Sequence, residues 1–418
     1  MFERPTYINA IAPFIDKPLV KILAGVRRSG KSTILLLLRE ELLRRGISPD
    51  NIIARNYSDI RYESMTASEM HSDIVAAMQG KGHCYLLLDE LQEIDGWERS
   101  VNTLLESADA DIYVTGSNSK LMSAEISTYL TGRYVLLPVY TLSFAEYLTF
   151  RGKTNADAAS VFTDYLQYGG FPVIAASDFD RHSAYQIVDG IYSTVITNDI
   201  ARRHDIRNQE LFDRVVRYIV ENVGKTFSAN NVVAFLKGER RSVSVEAIYN
   251  YIKWLTEAFI VYPCKRFDLQ GKQVLKTQEK YYLSDVSLRY AKAGFDGKMV
   301  SAMLENIVYL EMKRRGYDVY VGKLGDKEID FVATRENNRI YVQVCRNLPD
   351  DSSRETENLA KLNDNYHKYV VTADGLSVGN DNGIEIVHIA DFLLFTSPHL
   401  LPRRGTSLYF QQTKCLTS

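Results

Sequence analysis

The feature that most constrains this chain is Gly25-Val26-Arg27-Arg28-Ser29-Gly30-Lys31-Ser32, which satisfies the spacing G-x-x-x-x-G-K-S/T at every specified position. An apolar run, residues 19–24, precedes it and reads as a buried strand. A leucine-rich run, residues 33–43, follows it and reads as a helix. Strand, glycine loop, helix is the setting in which this spacing means phosphate binding. It predicts an α/β fold built on a parallel sheet, with a nucleoside triphosphate held where the first strand turns into the first helix.

Each residue type has a reason to be there. Glycine lets the backbone curl so that its N–H groups converge on phosphate oxygens. The following helix turns its free N–H groups and the positive end of its dipole to the same anion. Gly25, Arg28, Ser29 and Gly30 are therefore expected to line the phosphates, with Lys31 at the β- and γ-phosphates, the Ser32 hydroxyl on Mg²⁺ and Thr33 at the α/β region. Residues 84–90 read as a second buried strand ending in Asp89 and Glu90. Parallel strands buried on both faces are continuously apolar, and ligands gather at their carboxyl ends. Asp89 is thus a candidate for holding Mg²⁺ and Glu90 for polarising an attacking water. Acids also favour helix N-termini, which is the plainer explanation of the pair. A third strand, residues 111–118, ends in Ser117 and Asn118. Asn118, with Ser117 second, is the candidate that orients water beside the γ-phosphate. Residues 51–57 are expected to supply a strand between those of the phosphate loop and of Asp89.

Further on stand Leu130-Thr131-Gly132-Arg133-Tyr134, then Leu137-Pro138-Val139-Tyr140-Thr141-Leu142-Ser143-Phe144-Ala145-Glu146-Tyr147, then Tyr168-Gly169-Gly170-Phe171-Pro172. With the phosphate loop, these resemble the AAA-type P-loop ATPases of a large prokaryotic group related to archaeal ATPases and to the signalling ATPases with numerous domains. The resemblance runs from about residue 18 to about residue 391. It implies ATP and Mg²⁺ as ligands, the strand order of the additional-strand ATPases with a catalytic glutamate, and a C-terminal uncharacterised domain. It also implies Arg133 as phosphate sensor or arginine finger, whether for its own nucleotide or a neighbour's, and leaves self-association open. The glycine pair at 169–170 reads as a packing turn rather than a catalytic element.

The length of 418 residues allows several domains. The expected boundaries are 1–150 for the ATPase domain, 151–207 for a helical lid, 208–290 for a winged helix and 291–418 for a C-terminal domain similar to the PD-(D/E)xK nucleases. The net charge of −2 excludes a global pull towards nucleic acid or acidic lipid. Cys84, Cys264, Cys345 and Cys415 are scattered and form no Cys-x-x-Cys pair, so neither a zinc ribbon nor a disulfide framework is expected. The first residues lack a secretory-leader pattern, and no apolar run approaches the ~20 residues of a membrane span. The expectation is a cytoplasmic protein without membrane contact.

Within 208–290, Ser228 and Ser244 are positioned to cap two short helices. Lys237, Arg240, Arg241, Lys253, Lys265, Arg266, Lys272 and Lys276 make a modest basic cluster around the last of these helices and the wing. Duplex DNA is accordingly one candidate partner, since phosphate neutralisation dominates such binding. A protein partner coupled to nucleotide state is the other. In the nuclease-like part, Glu305 and Asp330 fall where the resemblance implies metal ligands. The next strand carries Gln343 and Cys345 where active nucleases have an acid and a lysine. An amide is a poor ligand for a hard cation, and cysteine has no fixed positive charge, so a degenerate site is expected. The leading expectation is an ATP-hydrolysing switch that repositions the later domains. The alternatives are a nucleotide-gated DNA-binding protein, an ATP-dependent nuclease, or a small-molecule kinase. The length and Glu90 weigh against the kinase.

Overall fold

The computed structural model describes residues 2–117, 129–130, 132–204, 206, 208–238, 243–348, 353–375 and 378–395. The chain forms two compact units. The first comprises 1–141, 193–205 and 253–260; the second comprises 142–192, 206–252 and the described part of 261–418.

The first unit is built on a five-stranded sheet of β1 (Val20–Ala24), β2 (Ile52–Asn56), β3 (Cys84–Asp89), β4 (Ala110–Gly116) and β5 (Tyr134–Pro138), in the order β2-β3-β4-β1-β5. All of its pairings are parallel. The order corrects one expectation. The strand between β1 and β3 is β4, whereas β2 lies at the edge beside β3. Helices α1 (Pro5–Ile11), α2 (Lys31–Arg44), α3 (Ala67–Met78) and α4 (Trp97–Ser107) accompany the sheet. Leu23, Leu87 and Tyr113 of the strands pack with Ile34, Leu38 and Leu42 of α2 and Ile11 of α1. That packing fixes the start of α2 against the carboxyl end of β1. The first unit also takes in the end of a helix that begins at Arg181 and opens into π-helical turns over Ile196–Ala201.

The second unit holds an eight-stranded mixed sheet. Its strands are β6 (Val261–Asp268), β7 (Gln273–Leu283), β8 (Asp318–Leu324), β9 (Lys327–Arg335), β10 (Asn338–Cys345), β11 (His367–Thr372), β12 (Gly379–Asp381) and β13 (Ile384–His388). The order is β12-β13-β11-β10-β9-β8-β6-β7. The two strands expected to flank a wing, β6 and β7, are thus hydrogen-bonded into the sheet of the C-terminal strands, β6 running parallel to β8. Helices Gln209–Glu221, Ala229–Gly238 and Val245–Glu257 precede them. The Ser228 and Ser244 hydroxyls accept from the backbone N–H groups of Asn231 at 3.4 Å and Ala247 at 3.1 Å, the capping positions read from the sequence. No helix among the described residues is long and apolar enough to cross a membrane.

Candidate functional site at the phosphate loop

The loop between β1 and α2 is shaped by its glycines and by a buried arginine. A Cβ added at Gly25 would lie 2.0 Å from the carbonyl oxygen of Val139, so no side chain fits there. Gly30 has φ +96°, in the left-handed region that glycine enters without strain. Arg28 shares that region at φ 64°. Behind the loop, Arg4 is 2% exposed and donates to the carbonyls of Ser29 at 2.7 Å and Tyr140 at 3.2 Å. The loop backbone is therefore held from the core side.

Lys31 is buried, and its ammonium donates to the carbonyls of Gly25 and Val26 at 3.0 and 3.1 Å. Burial lowers its pKa, against the opposing pull of Glu90, Asp199 and Asp89. Asp89 ends β3, one strand removed from β1, with its carboxylate buried. Burial pushes its pKa up, while hydrogen bonds from the Thr115 and Ser32 hydroxyls pull it down. The structure thus brings Lys31, Ser32, Asp89 and Glu90 to the carboxyl ends of β1 and β3. Glu90 stands in the left-handed region at φ 52°, its N–H donating to the Thr115 hydroxyl at 3.0 Å. The Gln92 amide donates to its carboxylate.

The donor set suits a divalent cation held jointly with phosphate oxygens: one hydroxyl, Ser32, hydrogen-bonded to one carboxylate, Asp89. Among the described residues no group of three or more His, Cys, Asp or Glu is arranged to hold a metal alone. The Ser29 hydroxyl is buried in the loop with no hydrogen-bond partner among the described residues. An unmatched donor there suits an anionic ligand.

Asn118 is outside the described residues, and Arg133 lies elsewhere. Arg133 stands just before β5, level with the start of β1, since Val20 N–H donates to its carbonyl at 3.0 Å. Five strand residues separate that level from the loop, about 16 Å. Its guanidinium pairs with Glu106 at 2.7 Å and Asn102 at 2.9 Å on α4. Arg27, Asp199 and Gln92, which the motif does not announce, do reach the site, as does Ser117, the second candidate for orienting water. Arg27 pairs with Asp199 at 2.6 Å, and Ser117 donates to the same carboxylate at 3.0 Å. The Gln92 amide donates to the Glu90 carboxylate. Asp199 had one sequence signal, an acid inside the apolar stripe Tyr192, Val195, Ile196, Ile200.

The second unit changes the basic cluster. Lys237, Lys253, Lys265 and Lys272 are exposed, whereas Arg240 and Arg241 lie outside the described residues. Arg266 is 7% exposed and donates to Glu328 at 2.7 Å and Thr226 at 2.9 Å, which removes it from any phosphate-facing surface. At the nuclease-like positions, Glu305 accepts from Tyr282 at 3.2 Å and pairs with Lys280 at 3.5 Å. The Asp330 carboxylate accepts from the Val344 N–H at 2.8 Å. Cys345 packs with Ile329, Val332 and Val370 in a hydrophobic cluster, and burial pushes its thiol up to about 11.

The family described as an AAA domain matches residues 17–148, and a domain of unknown function, DUF8612, matches 160–298. An uncharacterised protein of Haemophilus influenzae is 35% identical over 401 residues, covering 94% of this chain and 99% of that protein. The chain belongs to this family of AAA-domain proteins. An uncharacterised protein of Methanocaldococcus jannaschii is 28% identical, covering 89% of this chain and 85% of its own length. Among solved structures, the Walker-type ATPase of Pyrococcus abyssi is similar with a TM-score of 0.49 at 14% identity, over 70% of this chain and 95% of that one. The first unit of this AAA-domain protein has the parallel α/β sheet of a P-loop protein, with its loop at the expected turn.

Proposed function

We propose that this AAA-domain protein hydrolyses ATP and uses the cycle as a conformational switch. The observation that carries the reading is the convergence of Lys31, Ser32, Asp89 and Glu90 at the carboxyl ends of β1 and β3. When bound, Mg²⁺ supplies charge neutralisation across the phosphate oxygens. Ser32 and Asp89 would hold it. The loop N–H groups and the Lys31 ammonium cradle the phosphates. Glu90 takes the proton of the attacking water as the new oxygen–phosphorus bond forms. The bond between the γ-phosphorus and the bridging oxygen breaks, releasing ADP and phosphate. The buried, pre-tethered Lys31 favours this chemistry, because a charge already desolvated needs little reorganisation.

The test is nucleotide binding and turnover measured separately, with and without duplex DNA. Lys31→Ala should abolish tight ATP binding. Glu90→Gln should keep binding and slow turnover by about 10²-fold or more. Normal turnover in Glu90→Gln would remove Glu90 as the base. Turnover that rises with DNA would identify DNA as the coupled partner, and indifference to it would direct the search to proteins.

A further inference from the structure

Asp199 is an acid that the phosphate-loop chemistry does not call for, yet it reaches that site. It lies on the π-helical turns Ile196–Ala201 and is 1% exposed. A carboxylate at that depth is tolerated only where donors answer its charge. Arg27 of the phosphate loop answers with two prongs, Nε to Oδ2 at 2.6 Å and one terminal nitrogen to Oδ1 at 3.0 Å. Burial alone would depress the Arg27 guanidinium, but its hydrogen bonds to Asp199, with the charges of Asp199, Glu90 and Glu93, leave its pKa raised. The Ser117 hydroxyl, at the end of β4, is the third donor at 3.0 Å.

The polar chain continues from Ser117. Gln92 Nε2 lies 3.4 Å from the Ser117 hydroxyl oxygen and donates as well to Glu90 Oε2. One end of the network is therefore the loop that grips phosphate, and the other is the carboxylate read as the base. Glu90 needs such support. Its left-handed backbone is sparsely populated for a residue with a side chain, and neighbours must hold it there. π-Helical turns are rare and recur at functional sites, where they re-aim one residue out of the regular helical register. Beside the network, Gln92, Glu93, Asn198 and Arg202 help to line a cavity of about 1020 Å³, which leaves this segment room to shift.

We propose that Asp199 is a positioning residue of the nucleotide site, holding Arg27 of the phosphate loop directly and the Glu90 carboxylate through Ser117 and Gln92. This rests on the ATPase reading for Glu90. Segment 193–205, which carries Asp199, folds with the first unit, while the chain on either side of it folds with the second. A change at the phosphate loop is transmitted along these hydrogen bonds to that segment.

The experiment has two readouts on the full chain. The first is turnover, with affinity for a fluorescent ATP analogue measured alongside. Asp199→Asn should lower kcat by about tenfold or more, while analogue affinity changes less than about threefold. Combining Asp199→Asn with Gln92→Leu should cost no more than the worse single variant, because both act through Glu90. Multiplying effects, or a kcat loss that merely follows weakened binding, would overturn the proposal. The second readout needs no turnover. The ATP analogue should change hydrogen exchange of amides 193–201 in the wild type, and Asp199→Asn or Arg27→Ala should abolish that change. Analogue binding with no exchange change in the wild type overturns the proposal and leaves ATP binding standing. Analogue binding and an exchange change without turnover overturn the hydrolase reading and, with it, the Glu90 arm, leaving the Arg27 arm supported. No analogue binding at all sinks both.

Discussion

Lys21 and Asp111 face each other inside the first unit with side chains 0% and 1% exposed. Lys21 also donates to the carbonyl of Lys17 at 2.8 Å, and Asp111 accepts from the Tyr113 hydroxyl at 2.6 Å and the Asp16 N–H at 3.0 Å. Burial lowers the pKa of Lys21, and the hydrogen bond and charge of Asp111 resist it. Removing one partner of a buried pair strands the other, so Lys21→Met should cost about 3–5 kcal/mol in denaturant melts. Lys21→Met with Asp111→Leu should be clearly less destabilised than Lys21→Met alone. A neutral single variant would show that the pair carries no such constraint. Lys21 and Asp199 share a sequence trait, a charge set inside an otherwise apolar pattern. Lys31, Ser32, Asp89 and Glu90 were legible because short contiguous motifs carry them. The partners of Lys21 and Asp199 were not, because Asp111 and Arg27 lie 90 and 172 residues away.

At the scale of elements, the glycine pair after helix Ala158–Tyr168 shows how a turn is specified from a distance. Gly169 has φ +72°, and a Cβ there would meet Asp285 Oδ1 at 1.8 Å. Gly170 N–H donates to Asp285 Oδ2 at 2.8 Å, and its carbonyl accepts from Leu142 N–H at 2.7 Å. Ser287 N–H donates to Asp285 Oδ1 at 3.0 Å, so one buried carboxylate joins two turns of the second unit. Asp285→Ala should destabilise that unit by about 1–3 kcal/mol, and Gly169→Ala should do at least as much through its backbone strain. Thermal melts that leave both variants at wild-type stability would contradict this account. The sequence announced this turn but not its acceptor. The same holds for the strands. Their existence was legible, since parallel strands buried on both faces are unbroken apolar runs. Their spatial order was misread although β2 carried a local sign of the edge: it is buried only at Ile52 and Ile53 and ends in Arg55 and Asn56, whereas β4 is buried from Asp111 to Gly116. The docking of β6 onto β8 was hidden because it is a pairing across about 55 residues.

Across the whole molecule, the distribution of buried phenols sets how the two units respond to alkali. In the second unit, Tyr147, Tyr165, Tyr192, Tyr251, Tyr281, Tyr282, Tyr290, Tyr341 and Tyr369 are buried. Burial raises the pKa of all nine, Tyr147 and Tyr341 to about 12. In the first unit the corresponding group is Tyr57, Tyr85 and Tyr113. A phenol whose folded pKa is raised contributes stability that is whole below its unfolded pKa, near 10, and is lost as pH climbs from there towards the folded value. Each costs about 1.4 kcal/mol per pH unit in that window. Nine phenols amount to about 12 kcal/mol per unit of pH and three to about 4, against a typical domain stability of about 5–15 kcal/mol. The second unit should therefore unfold first, about one unit above pH 10, with a steep rise in tyrosinate absorbance and a coincident fall in circular dichroism. The phosphate loop, Asp89, Glu90 and Asp199 all belong to the first unit. Binding of a fluorescent ATP analogue should accordingly persist through that first transition and fail in a second, shallower one at higher pH. A single transition that removes tyrosine signal and nucleotide binding together would show that the two units unfold as one cooperative body.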